Sequence, residues 1–158
     1  PVAYKKAVYG IHTEANALMG GTFTGVAQAA FDLALDYAHE RRQGGVPIIR
    51  HQSVQQRLFH MYRRIECSRA LTRRVCLFNN TAPIPALQAA MTAKVTGTQN
   101  CFDVCSDALQ IFGGNGLTRE YPMEKLLRDA RASMIEDGCN EILAIKGGCY
   151  LIDEERLR

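Results

Sequence analysis

Glu136 and Asp137 stand side by side ahead of Gly138. A carboxylate held about 3 Å from an acidic carbon can take its proton, provided the surroundings exclude water. Asp-Gly is also a common turn dipeptide, and on composition alone both side chains read as solvated turn residues. A second cluster lies upstream, where Gly113-Gly114-Asn115-Gly116 follows the apolar run Ala108-Leu109-Gln110-Ile111-Phe112. Glycine enters positive φ without a Cβ clash, so three glycines in four residues end a helix. They also bare backbone N–H groups, which suit a phosphate or a flat ligand. Six cysteines are present, none in a CxxC pair and none with a histidine at ligand spacing, so no metal site is expected. Cys101 and Cys105 share a helix face. All but Cys139 are read as small buried apolar residues in a reducing compartment.

The elements that must position these residues are helical. Residues 1–15 are ambiguous and read as helix. From Ala15 to Arg41, Met19, Phe23, Val26, Ala27, Ala30, Phe31, Ala34 and Ala38 recur at three and four. That predicts a helix longer than about 35 Å. Gly21 and Gly25, four apart, predict a close backbone approach. Arg41-Arg42-Gln43-Gly44-Gly45 then Val46-Pro47 supply stop chemistry. A second helix starts near His51 or Ser53, with the seam Leu58, Met61, Ile65, Ser68, Thr72 and Val75, the spacing of a long bundle. Asn79 to Pro85 breaks it. The third runs from about Ala86 to Phe112 on a small-residue seam of Ala86, Ala90, Ala93, Gly97, Cys101, Val104, Ala108 and Ile111. Tyr121-Pro122 opens a short helix in which Glu124 and Arg128 pair at i,i+4, worth a few tenths of a kcal/mol. A last helix follows Gly138, with Ile142, Ile145, Cys149 and Ile152 expected inward. No strand-like alternation of useful length occurs. The pattern is that of an all-α domain whose short connections make successive helices antiparallel.

At 158 residues the chain is one domain by size, with the 47% hydrophobic and 22% charged content of a globular protein. A net charge of +3 is too small to argue for nucleic acid, and no window of 18 apolar residues predicts a membrane span. With no initiator Met and no signal peptide, residues 1–158 read as a fragment of a longer protein or a processed chain.

Together the motifs are more specific than apart. QIFGGNG, REYPMEKLLRDAR and IEDGCNEI, in that order, resemble the C-terminal signature of the acyl-CoA dehydrogenases. Ala27 to Gln52, AQAAFDLALDYAHERRQGGVPIIRHQ, resembles that family's other C-terminal signature. The likeness covers about Ala15 to Ile152. It implies an antiparallel four-helix bundle, here without the family's N-terminal helical and middle β domains. It implies FAD as cofactor, an acyl-CoA substrate, α,β-dehydrogenation and a place in fatty acid metabolism. It also implies electron-transferring flavoprotein as acceptor, assembly into a dimer or tetramer, and a cytoplasmic or mitochondrial-matrix location.

Residue by residue, the resemblance gives Arg41 to the flavin of a partner subunit, where a guanidinium suits a pyrophosphate. His51 and Gln52 fall near the flavin, and Gln110, Gly113 and Gly114 approach the partner's. Cys139 stands where the family has a threonine that hydrogen-bonds its own flavin, and a thiol is a weaker donor. The aromatic residue that the family often has before the loop glycine is missing from Gln43-Gly44-Gly45. The base position, just before the glycine, is Asp137 rather than Glu, shorter by one CH2. Three readings stay open. Asp137 is the base, as in dehydrogenases of cyclic acyl-CoAs and nitroalkane oxidases. Or the base comes from the first helix, where the matching position is Ala15 with Glu14 beside it. Or the chemistry is not dehydrogenation, leaving an oxidase of the same superfamily or a non-catalytic oligomerising bundle.

Overall fold

The computed structural model describes residues 2–153, and helices carry nearly all of them. Helix α1 (Val2–Glu40) runs unbroken for 39 residues, about 58 Å at 1.5 Å per residue, and takes in nearly all of the ambiguous start; Pro1 lies outside the described residues. A tight hairpin follows, in which β1 (Arg42–Gln43) pairs antiparallel with β2 (Val46–Pro47). Gly44 and Gly45 both have positive φ, 61° and 82°, as a two-residue hairpin loop requires. Strands this short leave no alternation to read. A 3-10 turn at Ile48–Arg50 leads into α2 (Gln52–Thr81). Then come α3 (Leu87–Phe112), a 3-10 turn over Gly113–Leu117, α4 (Met123–Ser133) and α5 (Asn140–Ile152).

Side-chain pairs fix the directions. Arg64 bonds Asp107 and Asn100 bonds Ser68, so α2 runs antiparallel to α3. Lys94 bonds Asn140 and Gln88 bonds the carbonyl of Gly147, so α5 also opposes α3. Together α4 and α5 make the fourth leg of an antiparallel bundle. The central seam joins α1 to α3, two elements apart and therefore parallel. Ala27, Ala30, Ala34 and Ala38 pack there with Cys101, Val104, Cys105 and Ala108 in one buried cluster. The predicted seam of α2 is buried at every position.

Three expectations are corrected. The close approach is not at Gly21 and Gly25 but between Gly20 and Gly97. A Cβ on Gly20 would lie 2.8 Å from the Ala93 carbonyl oxygen, and one on Gly97 would lie 2.9 Å from the Gly20 oxygen. Gly21 and Gly25 are turned away from α3, about 100° and 500° further round α1. Secondly, α5 does not bury its isoleucines: Ile142, Ile145 and Ile152 are 49%, 64% and 89% exposed, while Asn140 and Leu143 are buried. The Asn140 side chain is drawn inward to Lys94 and Thr98. That sets the helix phase, puts Leu143 and Gly147 against α3, and rotates the isoleucine stripe outward. Thirdly, of the five cysteines read as buried only Cys101 and Cys105 are; Cys67 is exposed, and Cys76 and Cys149 are half-buried. Both thiols are free, and hydrogen bonding with Cys105 together with burial pushes the Cys101 thiol far above the usual range.

Alanine for glycine inside a helix normally gains up to about 1 kcal/mol. At Gly97 the added methyl meets backbone, which cannot rotate away. Gly97→Ala should instead destabilise by about 1 to 3 kcal/mol, read as a lower urea midpoint at unchanged m-value.

Candidate functional site

The predicted residues fall into two clusters at different levels of the bundle. The first lies where α1 and α3 end. Tyr37 stacks on Phe112 with centroids 4.2 Å apart, and Tyr121 meets both edge-on. Asn115 Nδ2 donates to the Tyr37 hydroxyl at 2.9 Å, tying the glycine turn to α1. Arg41 joins Tyr37, Phe112, Asn115 and Tyr121 around a depression of about 330 Å³. Gly113 takes φ of 61°. A Cβ on Gly113 or Gly114 would meet nothing within 4 Å, so both present bare backbone to open space. Gln110 is exposed in the last turn of α3. His51 caps the far side of the hairpin, its Nε2 3.1 Å from the Gln43 carbonyl oxygen, and Gln52 is exposed as the first residue of α2. An exposed guanidinium beside a stripped glycine turn fits a diphosphate-bearing ligand such as FAD.

The second cluster is the turn between α4 and α5. Asp137 is exposed and takes φ of 52°, unique for a residue other than glycine among the described residues, and Gly138 follows at 89°. Asp tolerates this left-handed region better than most residues. Cys139 is half-buried, and its thiol hydrogen-bonds Glu141. The carboxyl of Glu141 is held below the usual range by its own backbone N–H first and by that thiol second. Glu136 is exposed beside Asp137. On α1, Glu14 is exposed and Ala15 is half-buried.

Beneath the turn lies a residue that the sequence reading passed over. Lys94, wholly buried, donates from Nζ to the Gly138 carbonyl oxygen at 2.8 Å and to Asn140 Oδ1 at 3.0 Å. The Thr98 hydroxyl and the Asn140 amide complete the network. Its signal was present: position 94 is four after Ala90 and three before Gly97, so a lysine sits on the small-residue seam of α3. Burial lowers the Lys94 pKa, against the opposing pull of Cys139, Asp137, Glu136 and Glu141.

A lysine whose folded pKa is lowered loses its proton first in the folded state. The unfolded chain then holds more protons, so this group's contribution to stability rises with pH between the lowered value and the ordinary 10.5. Cys101 acts in the opposite sense: its raised pKa costs stability once the unfolded thiol ionises. The difference between wild type and Lys94→Met isolates the lysine. That difference should shift in favour of wild type as urea midpoints are taken from neutral pH to about pH 10.

The two clusters are separated by the 18 residues from Lys94 to Phe112, about 27 Å along α3.

Comparison with known proteins matches residues 12–146 to the family model described as acyl-CoA dehydrogenase, C-terminal domain. The chain belongs to the acyl-CoA dehydrogenase family. A 3-sulfinopropanoyl-CoA desulfinase from Paraburkholderia xenovorans is 40% identical to this acyl-CoA dehydrogenase family chain over 75% of it and 30% of the relative. The mitochondrial short-chain specific acyl-CoA dehydrogenase of Sus scrofa is 36% identical over 84% of the chain and 32% of the relative. Among solved structures, a nitroalkane oxidase crystallised with 1-nitrooctane superposes with a TM-score of 0.89 at 25% identity, over 98% of this chain and 37% of that one. It is an active-site mutant in which asparagine replaces aspartate. The family chain described here thus spans about a third of the length of the relatives it matches. Among its described residues no helix is long and apolar enough to cross a membrane.

Proposed function

We propose that this chain is the C-terminal part of a FAD-dependent dehydrogenase of acyl-CoA thioesters, with Asp137 as the base. The observation that carries the reading is the turn itself. An exposed carboxylate sits in a sparsely populated backbone conformation, on a segment bonded to a buried lysine, inside a match to the dehydrogenase family. Such outliers persist where the surroundings over-determine them, and they cluster at active sites. Asp137 takes the α-proton of the thioester. Backbone N–H groups at the turn steady the charge that develops on the thioester oxygen. A site closed to water makes the carboxylate a stronger base. FAD, when bound, supplies the acceptor for the β-hydride, and electron-transferring flavoprotein takes the electrons onward.

The separation of about 27 Å along α3 supports giving Arg41, Gln110, Gly113 and Gly114 to the flavin of a neighbouring subunit, with His51 and Gln52 near a flavin and Cys139 near the chain's own. On this reading the working unit is a dimer or tetramer, in the cytoplasm or the mitochondrial matrix. The Cys139 thiol, turned to Glu141, gives that flavin a weaker bond than a hydroxyl would.

Anaerobic titration of the full-length flavoprotein with a panel of acyl-CoAs tests the function. Bleaching of the flavin with one class supports it and names the substrate. No bleaching with any of them sinks it. A second reading is favoured by the desulfinase relative, which also acts on a CoA thioester: water-dependent release of sulfite from a 3-sulfinoacyl-CoA, leaving the protonated acyl-CoA and no bleaching, would select it. An oxidase, as in the nitroalkane oxidase neighbour, would show bleaching by a nitroalkane and fast reoxidation by oxygen.

A further inference from the structure

We propose that Lys94 is a positioning residue for the Asp137 carboxylate, fastening the left-handed turn to the middle of α3 through the Gly138 carbonyl and the Asn140 side chain. The proposal rests on the reading of Asp137 as the base.

A lysine is a poor choice for filling space here. Moving an ammonium out of water costs several kcal/mol, and Lys94 is wholly buried. Methionine has similar length and no such penalty. What methionine cannot do is donate. Lys94 Nζ reaches Gly138 O at 2.8 Å and Asn140 Oδ1 at 3.0 Å, one acceptor within the turn and one on the first residue of α5. The carbonyl does not need a lysine merely to be satisfied, because Gly138 is exposed and water can reach such a turn. The buried donor instead fixes where that carbonyl lies.

The turn needs fixing. Asp137 holds a φ of 52°, which costs an L-residue about 1 kcal/mol or more. Backbone bonds flank it, with the Ile135 and Glu136 N–H groups donating to the Ala132 oxygen and the Asn140 N–H to the Met134 oxygen at 2.9 Å, which closes the loop from behind. Thr98, one turn along α3, shares the Asn140 side chain. The α3 lysine therefore sets the height and angle of the carboxylate on the residue just before the carbonyl it holds. The charged and titratable groups facing it are Cys139, Asp137 and Glu136 from the turn and Glu141 from α5.

The test uses the full-length flavoprotein and the variants Lys94→Met, Lys94→Gln and Asn140→Ala. Turnover, KM and flavin content are measured, with amide hydrogen exchange of the peptide spanning residues 134–141. In Lys94→Met, kcat should fall by about 10²-fold, the scale of a 1 Å misplacement, with KM and flavin content within about twofold. Exchange in the turn should quicken while α3 stays protected. Lys94→Gln, which keeps an amide donor, should fall between. A folded, flavin-loaded Lys94→Met with wild-type kcat, or with unchanged exchange in the turn, overturns the proposal. If Lys94→Met does not fold, Asn140→Ala decides: it should show the same two changes in smaller measure, and their absence overturns the proposal equally. If the wild-type protein reduces flavin with no acyl-CoA, the reading of Asp137 fails by itself. The exchange comparison then still decides whether Lys94 holds the turn.

Discussion

Asp137→Asn should slow flavin reduction by acyl-CoA by about 10²- to 10⁴-fold, the usual contribution of a positioned general base. Asparagine is the diagnostic change because it keeps the size and the tolerance of positive φ that this position demands. The turn, flavin content and melting behaviour should therefore stay close to wild type, and the loss should appear in kcat and in kcat/KM alike. Stopped-flow bleaching with excess substrate reads the step directly. A variant that reduced flavin at the wild-type rate would remove Asp137 from the chemistry. Glu14, exposed on α1, would then be the next residue to change. Asp137→Glu asks the companion question about reach. It lengthens the arm by one CH2 but sits less easily at φ of 52°. A rate that rises means that the aspartate is a shortened base. A rate that falls means that the site is built around the shorter acid.

Arg41→Ala should weaken flavin retention by about 10- to 150-fold, from the loss of charged hydrogen bonds worth about 1.5 to 3 kcal/mol. Arg41 is exposed in the single chain, so the effect depends on an oligomer that closes over it. Arg41→Lys should recover part of the affinity, because the charge returns without the planar fork. Flavin released on dilution, followed by its fluorescence, measures this, and retention at wild-type affinity would take Arg41 out of the site. Mixed oligomers sharpen the test. A chain carrying Arg41→Ala and one carrying Asp137→Asn are each impaired alone. When mixed, one site in a heterodimer combines the intact Asp137 of one chain with the intact Arg41 of the other. Recovery of activity on mixing supports service to a partner's flavin, and no recovery counts against it.

The fold was largely legible because its signals are periodic. The α2 seam from Leu58 to Val75 buried as spaced, and the α3 seam from Ala90 to Ile111 did the same. Local chemistry marked the breaks, with Gly44-Gly45 at the hairpin and Gly113 at the end of α3. Periodicity failed where a polar residue set the phase. The isoleucines of α5 look like a core stripe until Asn140 is seen bonded to Lys94 across the bundle, a contact 46 residues away in sequence. The glycine contact was misplaced by one residue for a related reason: Gly20 and Gly21 are equally small, and only the partner helix tells which of them faces it. The candidate site residues were read from likeness to a signature, while Lys94 was passed over because it lies outside those blocks. The Asp-Gly dipeptide announced a turn but not that both of its residues would be left-handed.

The contact of Gly20 with Gly97 has a mechanical consequence. Where side chains interdigitate, two helices can slip by exchanging rotamers. Where carbonyl meets glycine, with 2.8 to 2.9 Å to any added Cβ, no side chain is left to rearrange. The contact works as a pin through the two longest parallel members of the bundle. Lys94 lies one turn from it on α3, and the stacked Tyr37 and Phe112 lie beyond it at the far end. A pin and a stack at two heights hold α1 and α3 in a single register, as a ruler is held by two nails. Strain applied at Arg41 would then reach the Asp137 turn as displacement of a rigid strut, not as bending within it.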